Sequence, residues 1–190
     1  MPRAADPEGL RPEQLEVWAS LATLMQRLPA ALDAQLQRDS GVTHFEHGVL
    51  HALDSAPDRT LRMSTLAGYA GSTLSRLSRA ATRLEGKGWM RRSTDPTDGR
   101  FTLAHLTDDG RAQVARATPG HQALVQRLVF DALTERQARQ LGEISRLLAD
   151  AAGDAPAWRP SGSAATATAT ATATDAGAAG AAGRGPTDAP

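Results

Sequence analysis

Apolar residues recur every three or four positions near the start of the chain, which predicts a long amphipathic helix over residues 13–38. Pro29 lies inside this segment and is expected to kink the helix, because proline lacks an amide donor and its ring clashes with the preceding turn. Thr43 and Glu46 have the spacing of a capping box, so a second helix is expected to begin there. The apolar side of the first helix carries Leu15, Trp18, Met25, Leu28, Leu32 and Leu36.

Two further helical segments lie close together in the middle of the chain. Residues 64–70 predict a short helix and residues 74–87 a longer one, and Gly71-Ser72-Thr73 between them favours a tight turn. Gly86 and Gly88 are typical of a helix that ends there. This arrangement predicts a helix-turn-helix.

The pattern then changes to two short extended runs, residues 89–93 and 100–106. Residues 95–99 between them read Asp-Pro-Thr-Asp-Gly, a composition that favours a turn, so a β-hairpin or wing is expected. From Thr107 onward the pattern is helical again, with an interruption expected near Pro119-Gly120. The first and last helices hold more apolar surface than so small a domain covers, which predicts a second subunit packed against them.

Composition sets the outer limits of this domain. The chain has 190 residues, of which 41% are hydrophobic, and this allows one domain with a packed core. We expect a flexible N-terminus over residues 1–12, a folded domain over residues 13–153, and a disordered Ala/Thr/Gly/Pro-rich tail over residues 154–190. Cysteine is absent, which excludes thiol chemistry, and no apolar run is long enough to span a membrane. A cytoplasmic protein is expected.

The net charge of zero hides a strong segregation of charge. Residues 62–100 contain eight basic and three acidic side chains, a net charge of +5, and the rest of the chain has a net charge of −5. Within the predicted helix 74–87 the basic residues form a row roughly opposite the apolar row, at about 100° per residue. The basic row is Arg76, Arg79, Arg83 and Lys87, and the apolar row is Leu74, Leu77, Ala81 and Leu84.

Clustered like charges repel one another, so a polyanionic partner explains this row better than a structural role does. Residues near the start of such a helix meet base edges first, and arginine can bond guanine in the major groove. Ser75, Arg76 and Arg79 are therefore predicted to make base or near-base contacts, and Ser78, a short hydroxyl beside this row, is included among the predicted DNA-binding residues. Arg83 and Lys87 are predicted to contact phosphate or to make structural pairs.

The chain resembles the MarR (multiple antibiotic resistance regulator) family of bacterial transcription factors over roughly residues 15–152. The resemblance rests on Leu84-Glu85, Gly88, Arg92, the wing sequence 95–100, Leu106-Thr107 and Gly110. It implies a mainly α fold with a small β-wing, a winged helix-turn-helix over about residues 43–107 with N- and C-terminal dimerisation helices over about residues 13–38 and 121–152.

The resemblance also implies a function. A homodimer would bind a pseudo-palindromic DNA operator, with Arg100 reaching the minor groove and Asp98 orienting it. Arg92, inside the matched motif, is included among the predicted DNA-binding residues. Family members commonly hold aromatic compounds between the dimerisation helices and the winged domain, where Trp18 and His47 are candidate lining residues. The expected protein is a regulator, most simply a repressor that a small ligand releases.

Two alternatives remain open at this point. His44, His47 and His51 have spacings that suit a zinc-responsive regulator, although a tetrahedral site needs more ligands than these and cysteine is absent. A winged helix can also bind a protein instead of DNA. No motif of a catalytic nucleophile, phosphate loop or metalloprotease occurs, so we predict no enzymatic activity and no cofactor.

Overall fold

The computed structural model describes residues 9–153, so the predicted tail over residues 154–190 and most of the predicted flexible N-terminus lie outside the described residues. The helices in this range are α1 (Pro12–Ser40), α2 (His44–Asp54), α3 (Met63–Tyr69), α4 (Leu74–Gly86), α5 (Asp108–Val125) and α6 (Glu135–Ala152). The strands are β1 (Thr60–Arg62), β2 (Met90–Thr94) and β3 (Thr102–Leu106). The mainly helical fold with a small antiparallel sheet confirms the predicted fold class.

Local sequence explains where α1 and α2 begin and end. The capping box is present: the Glu46 amide donates to Thr43 Oγ1 at 3.0 Å, and the Thr43 amide donates to Glu46 Oε2 at 3.2 Å. α1 ends before Gly41, whose φ of 66° is left-handed and therefore favours glycine. α1 continues through Pro29, so the residue expected to kink the helix does not end it.

The core lies between α2, α3, α4 and the sheet. Its fully buried side chains include Leu50, Leu53, Leu66, Leu77 and Leu84. A second cluster of Leu36, Val42 and Ala117 joins α1 to α5. Trp89 packs against both clusters, so the start of the wing is tied to the long helices as well as to the helix-turn-helix.

The sheet has three antiparallel strands in the order β1-β3-β2. β3 pairs with β2 from Thr102 opposite Thr94 to Leu106 opposite Met90. The sequence predicted these two strands, but it did not predict β1, whose three residues are too few to show an alternating pattern. β1 pairs with β3 through Thr60 opposite His105, which fastens the wing to the helix-turn-helix.

The predicted break in the helix near Pro119-Gly120 is wrong. α5 continues through both residues to Val125, and the break comes later, at a π-helical turn (Gln126–Phe130) and the loop before α6. A side chain at Gly120 would place its Cβ 3.0 Å from Gln35 Nε2 of α1. Gly120 therefore allows α5 to lie close to α1 and does not act as a helix breaker.

Long apolar side chains on the first and last helices are uncovered. In α1, Val17 is 69% exposed and Trp18 is 52% exposed. α6 contains no buried residue, and its Ile144 and Leu147 are 53% and 69% exposed. Among residues 9–153, no helix combines the length and the hydrophobicity that crossing a membrane requires.

Candidate nucleic-acid interface

The helix α4 presents one buried and one exposed face, as its sequence predicts. Thr73 caps it, because the Thr73 hydroxyl accepts a bond from the Arg76 amide at 3.3 Å. Leu77, Ala81 and Leu84 are fully buried, and Ala80 joins them. Leu74 was predicted in the buried row but is 54% exposed, because it lies at the first turn, beyond the edge of the core.

The first turns of α4 carry the predicted base contacts on an exposed surface. Ser75, Arg76 and Arg79 are all exposed. Within the described chain the Arg79 side chain makes no hydrogen bond or ion pair, and the Arg76 guanidinium lies over the ring of Phe45, 4.5 Å from its centroid. Ser75 Oγ is 3.2 Å from the hydroxyl of Thr73. These three side chains therefore remain accessible at one end of the helix.

The last turns of α4 use their cations internally. Arg83 Nε donates to Glu46 Oε1 at 2.8 Å, and the Glu46 side chain is only 4% exposed. Lys87 Nζ donates to the Gly41 carbonyl at 2.8 Å and lies 4.6 Å from the centre of the Trp89 ring. Arg83 and Lys87 were each predicted to contact phosphate or to make structural pairs, and in the structure each makes a structural pair. Arg83 joins α4 to α2, and Lys87 joins the end of α4 to the loop before α2.

Two further predicted DNA contacts are bonded to each other. Arg92 NH1 donates to Ser78 Oγ at 3.2 Å, and Arg92 Nε donates to Glu85 Oε2 at 2.9 Å. The bond from Arg92 lowers the pKa of the Glu85 carboxyl below its usual value. Arg92 and Ser78, both predicted to bind DNA, therefore lie in a contact between α4 and β2.

The turn of the wing holds a second exposed arginine. Arg100 is 84% exposed, and its NH2 and Nε groups donate to the two carboxylate oxygens of Asp98 at 2.7 and 2.9 Å. These bonds lower the pKa of Asp98 and raise that of Arg100, because each stabilises the charged form of the other. Asp98 thus orients the guanidinium and leaves its outer edge open to solvent.

Asp95, at the base of this turn, has a structural role that sequence reasoning missed. It accepts bonds from the Thr97 hydroxyl at 2.6 Å and the Thr97 amide at 2.9 Å, and Arg62 NH2 lies 2.9 Å away. These bonds lower the pKa of Asp95 to about 2, those from Thr97 most strongly. Arg62 also lies over the ring of Phe101, 4.3 Å from its centroid, so β1 and both ends of the wing turn are held together. The spacing of Asp95 and Thr97 is typical of an Asx turn and is the signal that could have found this role.

Four histidines line a cavity of about 1140 Å³ between α1, α2 and α5. The ring of His47 is centred 4.9 Å from that of His121 and 6.0 Å from that of His51, and His44 lies 5.6 Å from His121. Phe45 and Arg76 also line the cavity, so it extends to α4. Trp18, the other predicted lining residue, does not line it and lies on the exposed side of α1.

Within this cluster His47 is buried, and the other three histidines are half-buried. Burial, and then the neighbouring rings of His121, His51 and His44, lower the pKa of His47 to about 4. Buried ring nitrogens of His44, His47 and His121 have no hydrogen-bond partner within residues 9–153. In this part of the chain no three His, Asp or Glu side chains are arranged to hold a metal ion, so the spacing behind the zinc alternative does not produce such a group.

A helix-turn-helix followed by a β-hairpin wing, with the sheet completed by β1 before the first of the two helices, defines a winged helix-turn-helix protein. The sequence model of the MarR family matches residues 42–102. The chain is similar to Sco3205, a MarR family transcriptional regulator from Streptomyces coelicolor whose structure was solved in complex with DNA. The two are 44% identical with a TM-score of 0.75, and the match covers 81% of this chain and 99% of Sco3205. AbsC, a MarR family transcriptional regulator from the same organism, is 27% identical with a TM-score of 0.72, over 76% of this chain and 97% of its own. The chain belongs to the MarR family.

A curated relative is more distant. The transcriptional repressor MprA of Escherichia coli strain K12 is 25% identical over 114 residues, which are 60% of this chain and 64% of MprA. The chain therefore matches just under two thirds of the length of this relative. MarR family members are transcriptional regulators and not enzymes, and this confirms both the predicted family and the prediction that the chain is not an enzyme.

Proposed function

We propose that this chain is a sequence-specific DNA-binding transcriptional repressor that binds a pseudo-palindromic operator in the cytoplasm as a homodimer. The observation that carries the proposal is the exposed start of α4, where Ser75, Arg76 and Arg79 are accessible and Arg79 has no partner within residues 9–153. In a helix-turn-helix the second helix enters the major groove with its first residues toward the bases. α4 is therefore the recognition helix of this proposal.

The wing supplies the second proposed contact. Arg100 is held by Asp98 on an exposed turn and carries a guanidinium that suits a narrow minor groove, where the negative potential is strongest. Arg83, Lys87 and Arg92 are left out of the proposed interface because their bonds join separate elements of the fold, whereas the bonds of Arg100 stay within its own exposed turn. The structure of Sco3205 was solved in complex with DNA, and MprA is named a transcriptional repressor. Both relatives support the same role for this chain.

The homodimer is proposed from the uncovered apolar surface of α1 and α6. Most helical stability in proteins comes from packing of an apolar face, and α6 has no buried residue within the single chain. Its apolar face therefore needs a partner surface to stabilise the helix. A second copy of the same surface covers it with two-fold symmetry. The dimer then presents two α4 helices to the two halves of an operator.

The finer proposal of release by a small aromatic ligand is supported by the cavity beside α4. Its lining combines the aromatic rings of Phe45, Tyr69 and Phe130 with imidazoles, the Arg76 guanidinium and the Asp33 carboxylate. The rings and the guanidinium suit a planar compound with a carboxylate that binds at the Arg76 side of the cavity. Benzoate is a suitable probe, and benzamide is its neutral counterpart of the same shape. We expect benzoate, and not benzamide, to raise the melting temperature and to weaken operator binding; an identical response to both would contradict an anionic ligand.

The main test is selection of duplexes from a random-sequence library, followed by binding at several salt concentrations. We expect a two-fold related consensus and a steep loss of affinity with salt, because each phosphate contact contributes a slope of about −0.9 in a plot of log affinity against log salt concentration. Repression is then measured with a reporter that carries the selected site. Failure to enrich any sequence, or binding that does not depend on salt, would favour the alternative of a winged helix that binds a protein.

A further inference from the structure

One side chain of the wing, Arg92 in β2, is bonded to three residues of α4. Its Nε and NH2 groups donate to Glu85 Oε2 at 2.9 and 2.5 Å, its NH2 group donates to Thr82 Oγ1 at 3.1 Å, and its NH1 group donates to Ser78 Oγ at 3.2 Å. The Arg92 amide also donates to Glu85 Oε1 at 2.8 Å. Both the backbone and the side chain of Arg92 are therefore fixed to α4.

The bonds of Arg92 leave little of it available for a phosphate. A guanidinium has five N–H donors, and the four side-chain bonds above use four of them. The Arg92 side chain is 27% exposed and that of Glu85 is 29% exposed, so the pair is partly shielded from water. Arg91, the neighbouring residue in β2, is exposed and makes no hydrogen bond or ion pair with the described residues through its side chain.

The acceptors Ser78, Thr82 and Glu85 form a single row along α4. At about 100° per residue, this row lies between the buried row and the exposed row that carries Ser75 and Arg79. The Thr82 hydroxyl donates its own proton to the Ser78 carbonyl at 3.1 Å, which turns its lone pairs toward Arg92. The Thr82 acceptor is thus oriented by a bond within α4 itself.

We propose that Arg92 is a positioning residue that fixes the rotation of α4 about its axis relative to the wing, and so determines operator specificity without contacting DNA. Apolar packing is not directional, and the buried Leu and Ala residues of α4 allow small rotations. A planar charged fork bonded along one side of the helix is directional and opposes them. Arg79 on α4 and Arg100 on the wing are then held in one relative placement. This inference rests on the proposed function.

The experiment uses two variants for which a positioning role and a DNA-contacting role predict different results. Arg92→Lys keeps the charge but loses the fork, and Glu85→Gln removes the carboxylate that holds Arg92. Arg91→Lys is the matched control. Affinity is measured by anisotropy for the selected operator and for a random-sequence duplex of equal length, over a series of salt concentrations at which all variants are folded.

We expect Arg92→Lys and Glu85→Gln each to weaken operator binding about tenfold or more, the effect of losing one base contact. Affinity for the random duplex and the salt slope should stay at their wild-type values, because no phosphate contact is lost. A phosphate-contacting Arg92 predicts the reverse: near wild-type binding for Arg92→Lys, and equal or tighter binding to both duplexes for Glu85→Gln, which frees a cation. A base-contacting Arg92 would also weaken operator binding in Arg92→Lys, but it too predicts equal or tighter binding for Glu85→Gln. Either result would overturn the proposal.

Hydrogen exchange of the DNA-free protein separates failure of this inference from failure of the proposed function. We expect faster exchange of α4 amides in Arg92→Lys than in Arg91→Lys, whether or not any duplex binds. Unchanged α4 exchange would overturn the positioning role even in a protein that binds its operator. Should Glu85→Gln not fold, Thr82→Val removes one acceptor with little change of shape and is expected to shift operator affinity in the same direction, with unchanged random-duplex binding.

Discussion

The guanidinium of Arg76 lies over the ring of Phe45, 4.5 Å from its centroid, so a side chain of the proposed recognition helix also lines the cavity of the histidine cluster. The residue after Phe45 in α2, Glu46, accepts a bond from Arg83 of α4. His47, one position further, faces the ring of His121 in α5. The first turn of α2 therefore contacts α4 on one side and the cavity on the other, and a change in the cavity has a short path to the DNA-binding surface.

Arg76→Ala is expected to weaken operator binding by about 1 to 3 kcal/mol, the usual effect of losing an arginine–guanine contact, and to change which base is preferred at one position in each half-site. Folding should be little affected, because the stacked guanidinium is exposed and its pairing with Phe45 contributes at most about 1 kcal/mol. Repeating the duplex selection with the variant measures the change. An unchanged consensus would remove Arg76 from base recognition.

Arg79 and Arg83 lie one turn apart on α4 and are expected to respond in opposite ways. Arg79→Ala should reduce DNA affinity and leave the melting temperature unchanged, since the side chain has no partner within residues 9–153. Arg83→Ala should lower stability by about 1 to 2 kcal/mol, because it leaves the buried Glu46 carboxylate without its cation; the figure is reduced from that of a fully buried pair because Arg83 is 56% exposed. Thermal unfolding and duplex binding of both variants are the two measurements. A stable Arg83→Ala that has lost DNA affinity would place Arg83 in the interface instead.

The different fates of these arginines explain which parts of the site the sequence could predict. The period of α4 and the capping box of α2 are local patterns, and both elements form where the pattern places them. The partners of Arg83 and Lys87 lie 37 and 46 positions away in the chain, so helical spacing alone cannot find them. Helical periodicity places the whole basic row on the exposed face. Among the described residues, however, the side chains of Arg83 and Lys87 bond oxygen atoms of other elements, and those of Arg76 and Arg79 do not.

Proline and glycine were the least informative signals for the long helices. Pro29 and Pro119 both lie inside helices that continue past them. Pro29 lines the cavity, and Pro119 follows Thr118, which also lines it. Gly120 marks a close contact between α5 and Gln35 instead of a helix end. Tertiary packing of α1 against α5 thus overrides the local preference of these residues, and a single sequence contains no record of that packing.

Replacement of Leu147 by Glu on α6 is expected to prevent dimerisation. The side chain is 69% exposed in one chain, so the folded subunit tolerates a charge there, but burial of an unpaired carboxylate at a two-fold contact is strongly unfavourable. We expect light scattering to show a monomer at micromolar concentration, and operator affinity to fall because only one half-site is bound at a time. Arg146→Glu, at the neighbouring position, tests whether charge alone is responsible. A dimer that survives Leu147→Glu would show that α6 is not at the interface.

Stability is expected to decrease as the pH falls from about 6.5 to about 4. The folded pKa of His47 is about 4, below the ordinary value of 6.5, so in this interval the unfolded chain binds the proton that the folded chain does not. The pKa values of His44 and His121 are lowered by burial and act in the same direction, and the carboxylate of Asp33, bonded to the His44 amide, opposes the shift at His44.

The His47 contribution to this loss is about 2 to 3 kcal/mol. His47→Phe removes the titrating group and keeps a ring in the cavity, so its free energy of unfolding should change less between pH 7 and pH 5 than that of the wild type. Burial and the nearby charge of Arg91 also lower the pKa of His105, so His105→Gln measures the part of the pH dependence that comes from the wing, away from the cavity. Urea unfolding at a series of pH values gives the comparison. Equal pH dependence in wild type and His47→Phe would show that the buried cluster is not the source of the acid sensitivity.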